Sequence, residues 1–166
     1  LGKILGAAEP KTMALFRTRV LSADIAAGDK LLRETQQKNY GLTGLACQQA
    51  KIVLINEETQ SRAEHLGLFI KELCPTIFIG RPSAGTNGDA TYTLLPGNLE
   101  VQFSGAAVFH ANGQQLQRLG LQPSVLVSRS LADLASGIDA ELAAAINYGM
   151  QNYGSGALNK QRQAGH

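Results

Sequence analysis

The chain is 166 residues long with 44% hydrophobic residues, enough for one domain with a real core. A net charge of +2, 17% charged residues, 5% aromatics and no Trp give neither a Lys/Arg stripe nor a stacking platform for nucleic acid. The longest apolar runs, Ile52–Ile55 and Ser104–Phe109, are too short to span a bilayer.

In chain order, residues 1–48 read as a poorly defined helical and loop segment. Leu1–Phe16 contain Glu9 and Pro10 and lack a continuous apolar core, so they are not a signal peptide. A start at Leu1 is expected of a processed protein or a cloned fragment. Pro10 can open a helix through Val20, and Ser22 or Asp24 can cap a second segment holding Leu31 and Leu32. Residues 38–48, with Gly41 and Gly44, read as a loop.

Residues 49–150 read as the domain core, with a sharper pattern. Lys51–Ile55 is a buried strand by its short run of β-branched residues. A helix is expected over Ser61–Leu73, with Ala63, Leu66, Ile70 and Leu73 on one buried face, stopped by Pro75. Thr76–Ile79 is a second strand, and strand–helix–strand implies a parallel crossover. Strands Thr91–Leu95 and Leu99–Phe103 flank the turn Pro96-Gly97-Asn98. Ala106–His110 and Val125–Val127 are further strands. Asp139–Tyr148 is a helix with Leu142, Ala145 and Ile146 on its apolar face, and residues 151–166 read as a frayed tail. The layout is mixed α/β, not doubly wound.

Ser61 is the candidate of most chemical interest. The turn Asn56–Gln60 places it at a helix start, where unpaired N–H groups and the helix dipole can stabilise an oxyanion. Capping the helix is the plainer role for a serine there, and a nucleophile needs a base. His65, four residues on, reads as an exposed helix histidine, because side chains stacked along a helix seldom align for proton transfer. His110 reads as a surface residue before a turn. Glu57, Glu58 and Glu64 read as carboxylates favouring the helix start rather than metal ligands. Gly80-Arg-Pro-Ser-Ala-Gly85-Thr-Asn lacks the Lys of a phosphate loop and reads as a tight connection. Cys47 and Cys74 read as two buried free thiols, with a disulfide as the alternative, and their spacing fits no metal site. No metal or organic cofactor is expected.

The segment Val53-Leu-Ile-Asn56-Glu-Glu-Thr-Gln-Ser61-Arg-Ala-Glu64 resembles the nucleophile region of the C-terminal processing (tail-specific) serine peptidases. The resemblance continues through Ile79–Gly88, Leu95-Pro-Gly97, Phe103-Ser-Gly105, Gly113, Gly120-Leu-Gln-Pro123 and Gly137-Ile-Asp139, roughly residues 50–148. It implies a Clp-protease/crotonase-like α/β fold, a mixed sheet with flanking helices. It further implies a polypeptide substrate, export to the cell envelope and a possible homo-oligomer.

On this resemblance Ser61 falls on the catalytic serine and the Arg62 backbone N–H on one oxyanion donor, with Ser83, Ala84, Gly85 and Thr86 lining the site. The base of the Ser–Lys members falls on Thr86, and a nearby Gln on Ala90, so the chain is nearer to the tricorn-like Ser–His–Glu branch. There the Glu position holds Gln117 or a neighbour, a possible orienting group. The base and a second oxyanion donor are expected upstream of Leu1, so the isolated chain should have little peptidase activity. The alternative is a catalytically inactive peptidase-like domain that binds an extended peptide or an apolar ligand.

Overall fold

A computed structural model of the chain describes residues 12–21, 32–40, 47 and 49–154. Its elements are β1 (Thr12–Leu21), β2 (Leu32–Tyr40), β3 (Lys51–Ile55), α1 (Arg62–Leu73), β4 (Thr76–Gly80), β5 (Ala90–Leu95), β6 (Leu99–Ser104), β7 (Ala106–His110), β8 (Val125–Leu126), α2 (Leu131–Ala135) and α3 (Ala140–Tyr153).

Three sheets organise these elements. One is antiparallel with order β2-β1-β7, one is parallel with order β3-β4-β8, and β5-β6 stand as a two-stranded hairpin. The parallel sheet bears out the crossover read from strand–helix–strand: Lys51 pairs Thr76 and Ile55 pairs Gly80. The core joins the sheets through α1. Ala14 and Val108 from the antiparallel sheet, Ile55 and Phe78 from the parallel one, and Leu68 of α1 form one buried cluster with Leu116 and Leu121.

The first segment departs from the expected helix. Residues 12–21 are a strand held between β2 and β7, with Met13 and Ala14 fully buried. Pairing with a partner more than eighty residues away in sequence overrides a weak local helical pattern, because it buries Ala14 and Phe16 against the core. The proposed caps Ser22 and Asp24, and Leu31, lie outside the described residues, while Leu32 opens β2. At the other end α3 runs on to Tyr153, so residues 151–153 are helical, and residues 155–166 lie outside the described residues.

Two helix faces also differ from the periodicity. In α1 the buried residues are Glu64, Gly67 and Leu68, while Ala63 and Leu66 are exposed. A Cβ on Gly67 would run into the Leu121 side chain, so this glycine lets the helix settle closely on that side. In α3 Glu141 and Ala145 face inward, and Leu142 and Ile146 are about half exposed. The two cysteines form a disulfide, with Cα atoms 5.0 Å apart. They are brought together because Cys47 precedes β3 and Cys74 precedes β4, and those strands run side by side in parallel. No described helix is long and apolar enough to cross a membrane.

Candidate active site

The turn after β3 is built by its own side chains. Asn56 Oδ1 accepts the Glu58 N–H at 3.0 Å, Thr59 Oγ1 accepts the Asn56 N–H at 3.1 Å, and the Thr59 N–H donates to Asn56 O at 2.9 Å. The turn is tied to the loop after β4 by the Ala84 N–H, which donates to Thr59 O at 2.9 Å.

Ser61 ends this turn as the N-cap of α1, exposed, with φ 52° and ψ −115°. That backbone conformation is strained for any residue but glycine and costs on the order of 1–3 kcal/mol, so the surroundings must impose it. Glu64 does much of the imposing. Its Oε2 accepts the Ser61 N–H at 3.1 Å and the Thr86 N–H at 3.0 Å. Its Oε1 accepts the Ser83 hydroxyl at 2.5 Å and the Gly85 N–H at 2.7 Å. Ser83 Oγ in turn accepts the Leu121 N–H at 2.7 Å. Glu64 is fully buried, and a carboxylate can stand in such a place only when its lone pairs are met in this way. Its role is thus larger than favouring a helix start.

The loop makes its approach through Gly85, at φ 67°. A Cβ there would lie 2.8 Å from Arg118 N and 2.9 Å from Gly120 N. Ser83 and Gly85 are buried behind the site holding Glu64, Ala84 is half-buried, and Thr86 is exposed with its N–H on Glu64.

A cleft of about 430 Å³ opens in front of Ser61, lined also by Phe16, Arg62, His65, Asn87, Gly88 and Asp89. Arg62 occupies the first helical position, where a backbone N–H has no partner within the helix. His65 is not the exposed histidine expected. It is half-buried against Phe16 and Phe69, at ring-centre distances of 5.0 and 4.6 Å, because strand β1 passes over this side of α1. Its Nδ1 lies 3.4 Å from Asn87 Nδ2. Burial lowers its pKa below the ordinary 6.5, Arg62 lowers it further, and Asp89 opposes them.

Gln117 does not reach the cleft directly. Its Nε2 donates to Asn87 O at 2.7 Å and to Ala106 O at 2.8 Å, and its Oε1 accepts the Val108 N–H at 2.8 Å. It therefore fixes the backbone of the residue whose side chain meets His65. Sequence reasoning missed Asn87 and Glu64. The signal for Glu64 was present in the Ser-x-x-Glu spacing of a capping box.

His110 is also buried rather than on the surface, in the last position of β7, and its Nδ1 has no hydrogen-bond partner among the described residues. Glu57 is held by Arg81 at 2.7 and 2.9 Å, which brings its carboxyl down to about 2. Arg81 and Arg129 both bind Glu141, at 2.5 and 2.9 Å, tying α3 to the end of β4. No group of three or more His, Cys, Asp or Glu placed to hold a metal occurs among the described residues.

The fold is similar to solved peptidase structures. A putative peptidase from Parabacteroides merdae aligns with TM-score 0.62 and 21% identity over 86% of this chain and 44% of its own. Mature CPAF complexed with lactacystin aligns with TM-score 0.60 and 13% identity over 87% of this chain and 38% of its own. A putative S41 protease from Bacteroides fragilis gives TM-score 0.54 and 16% identity, over 90% and 40%. The chain thus spans less than half the length of these proteins. No curated protein sequence matches it. The family model of peptidase family S41 matches residues 10–127, well over half of the sequence. The chain belongs to peptidase family S41.

Proposed function

We propose that this chain is the nucleophile-bearing part of a serine endopeptidase that cleaves polypeptides near their C-termini, nearer to the tricorn-like branch than to the Ser–Lys branch. One observation carries the reading: Ser61 is held exposed at a helix N-terminus in a backbone conformation that a mere cap does not need. Ser61 Oγ attacks the scissile carbonyl, and the Arg62 N–H receives the developing oxyanion. Loop residues 83–86 hold the floor of the substrate site through Glu64. The branch assignment rests on Thr86 and Ala90 where the Ser–Lys pattern needs Lys and Gln.

Treatment of the full-length protein with a fluorophosphonate tests the nucleophile. Intact mass spectrometry is expected to find one adduct, on Ser61, that is absent in Ser61→Ala. A protein left unlabelled supports the second reading, a catalytically inactive domain that binds an extended peptide or apolar ligand. That reading is favoured by one face of the β5-β6 hairpin, where Leu95, Leu99, Val101 and Phe103 stand partly exposed.

Export to the periplasm or cell envelope is part of the proposal, supported by the Cys47–Cys74 disulfide, a bond that persists in oxidising compartments. A homo-oligomer is supported by the exposed Leu142, Ile146 and Met150 along α3, and light scattering tests it.

A further inference from the structure

We propose that His65 is the general base for Ser61, oriented by Asn87, so that this chain carries its own base on the same helix as its nucleophile. The inference rests on the reading of Ser61 as a nucleophile and adds the group that reading lacks. The objection to such a pair is that two helical side chains four residues apart stack without aligning. Ser61 is not helical: at φ 52° and ψ −115° it leaves the helical path before the first turn. His65 and Ser61 line one cleft. Phe16 and Phe69 both pack against the imidazole ring, at ring-centre distances of 5.0 and 4.6 Å, which limits its movement.

Asn87 supplies the third member. It is buried, its backbone carbonyl is clamped by Gln117, and its amide faces His65 Nδ1 at 3.4 Å. With the amide turned so that Oδ1 faces the ring, it accepts the Nδ1–H and leaves the Nε2 lone pair as the basic site. A neutral amide orients the ring as a carboxylate would, without its charge. Among the described residues, Arg62 on α1 and Asp89 on the loop act on the ring by charge, and β1 presents Phe16 to it. Burial, the largest influence, keeps the ring neutral at pH 7 and so able to accept a proton.

The steps balance in protons. As Ser61 Oγ bonds to the scissile carbonyl carbon, its proton passes to His65 Nε2, directly or over one water. The imidazolium then protonates the leaving amine nitrogen as the C–N bond breaks, giving the acyl-serine. A water attacks that ester, gives a proton to Nε2, and the proton returns to Ser61 Oγ as the acid leaves.

The test is the rate of fluorophosphonate labelling of the full 166-residue chain between pH 5 and 9, with the fold of each variant checked by circular dichroism. The wild-type rate is expected to rise through a midpoint below 6.5 and then level off. His65→Gln is expected to lose about a hundredfold or more. Asn87→Asp is expected to keep labelling and move the midpoint upward, a change that a merely structural residue would not produce. Labelling at Ser61 with the same rate in His65→Gln, or a wild-type profile that rises only above pH 8, overturns the role of His65 and leaves the nucleophile standing. Absence of any Ser61 adduct in the folded 166-residue wild type overturns the role of His65 and leaves the nucleophile to the test on the full-length protein. If His65→Gln does not fold, the wild-type profile and Asn87→Asp decide by themselves.

Discussion

Glu64 concentrates more of the site's order than any other side chain described. Four donors from two segments converge on one fully buried carboxylate, and they include the N–H of the strained Ser61. Removing it strands the buried Ser83 and Gly85 donors away from water, at a cost of about 1–3 kcal/mol for each group left unsatisfied. Glu64→Ala is therefore expected to destabilise the fold by a few kcal/mol in chemical denaturation. Glu64→Gln places an amide NH₂ against backbone N–H donors and is expected to fold but to label poorly at Ser61. Normal labelling of Glu64→Gln would show that Ser61 holds its conformation without this carboxylate. The Ser-x-x-Glu spacing of a capping box is a local signal of this pair, although Glu64 reads from sequence only as a carboxylate favouring the helix start. Its second use, binding Ser83, Gly85 and Thr86, depends on a loop about twenty residues later, and no local pattern signals it.

Among the elements, β3, α1 and β4 form the unit that sequence read best. Their apolar runs and the Pro75 stop are local signals, and the parallel pairing follows from strand–helix–strand connection. The face that α1 buries was not legible, because Glu64 and Gly67 are chosen by the loop and by Leu121 rather than by hydrophobicity. Strand β1 was misread for a similar reason: its partners lie in β2 and β7, and only their presence makes an extended segment preferable. The Cys47–Cys74 bond closes a separation of 27 residues around this unit. A loop of that length corresponds to roughly 3–4 kcal/mol in the chain-entropy model. Reduction with dithiothreitol, or Cys47→Ala with Cys74→Ala, is expected to lower the denaturation free energy by a few kcal/mol. An unchanged denaturation midpoint would show that parallel pairing alone holds β3 against β4.

Taken together, the ionisable groups make stability depend on pH in one direction. Folding lowers the pKa of His65 and His110, chiefly by burial, and of Glu57, Asp133 and Glu141, through hydrogen bonds from Arg81, Ser130 and Arg129. At Glu141 burial itself pushes the other way and the arginines outweigh it. Each group binds its proton more weakly folded than unfolded, so protonation favours the unfolded chain. The histidine contribution is present above pH 6.5 and is lost below it, toward the lower folded values. The carboxylate contribution is present above about pH 4.5 and is lost as pH falls toward about 2, where Glu57 titrates. Melting temperature is expected to fall from pH 8 to pH 5 and again toward pH 3. Equal melting at pH 8 and pH 5 would sink the histidine part. By itself the sequence determined the elements from β3 onward apart from α2, the mixed α/β class and Ser61 at a helix start, because periodicity, caps and turn residues are local properties. The tertiary structure decided the strand character of residues 12–21, the disulfide, the buried face of α1 and the grouping of His65 and Asn87 before Ser61. Each of these depends on contacts between residues far apart in the chain, where packing and hydrogen-bond satisfaction outweigh local preference.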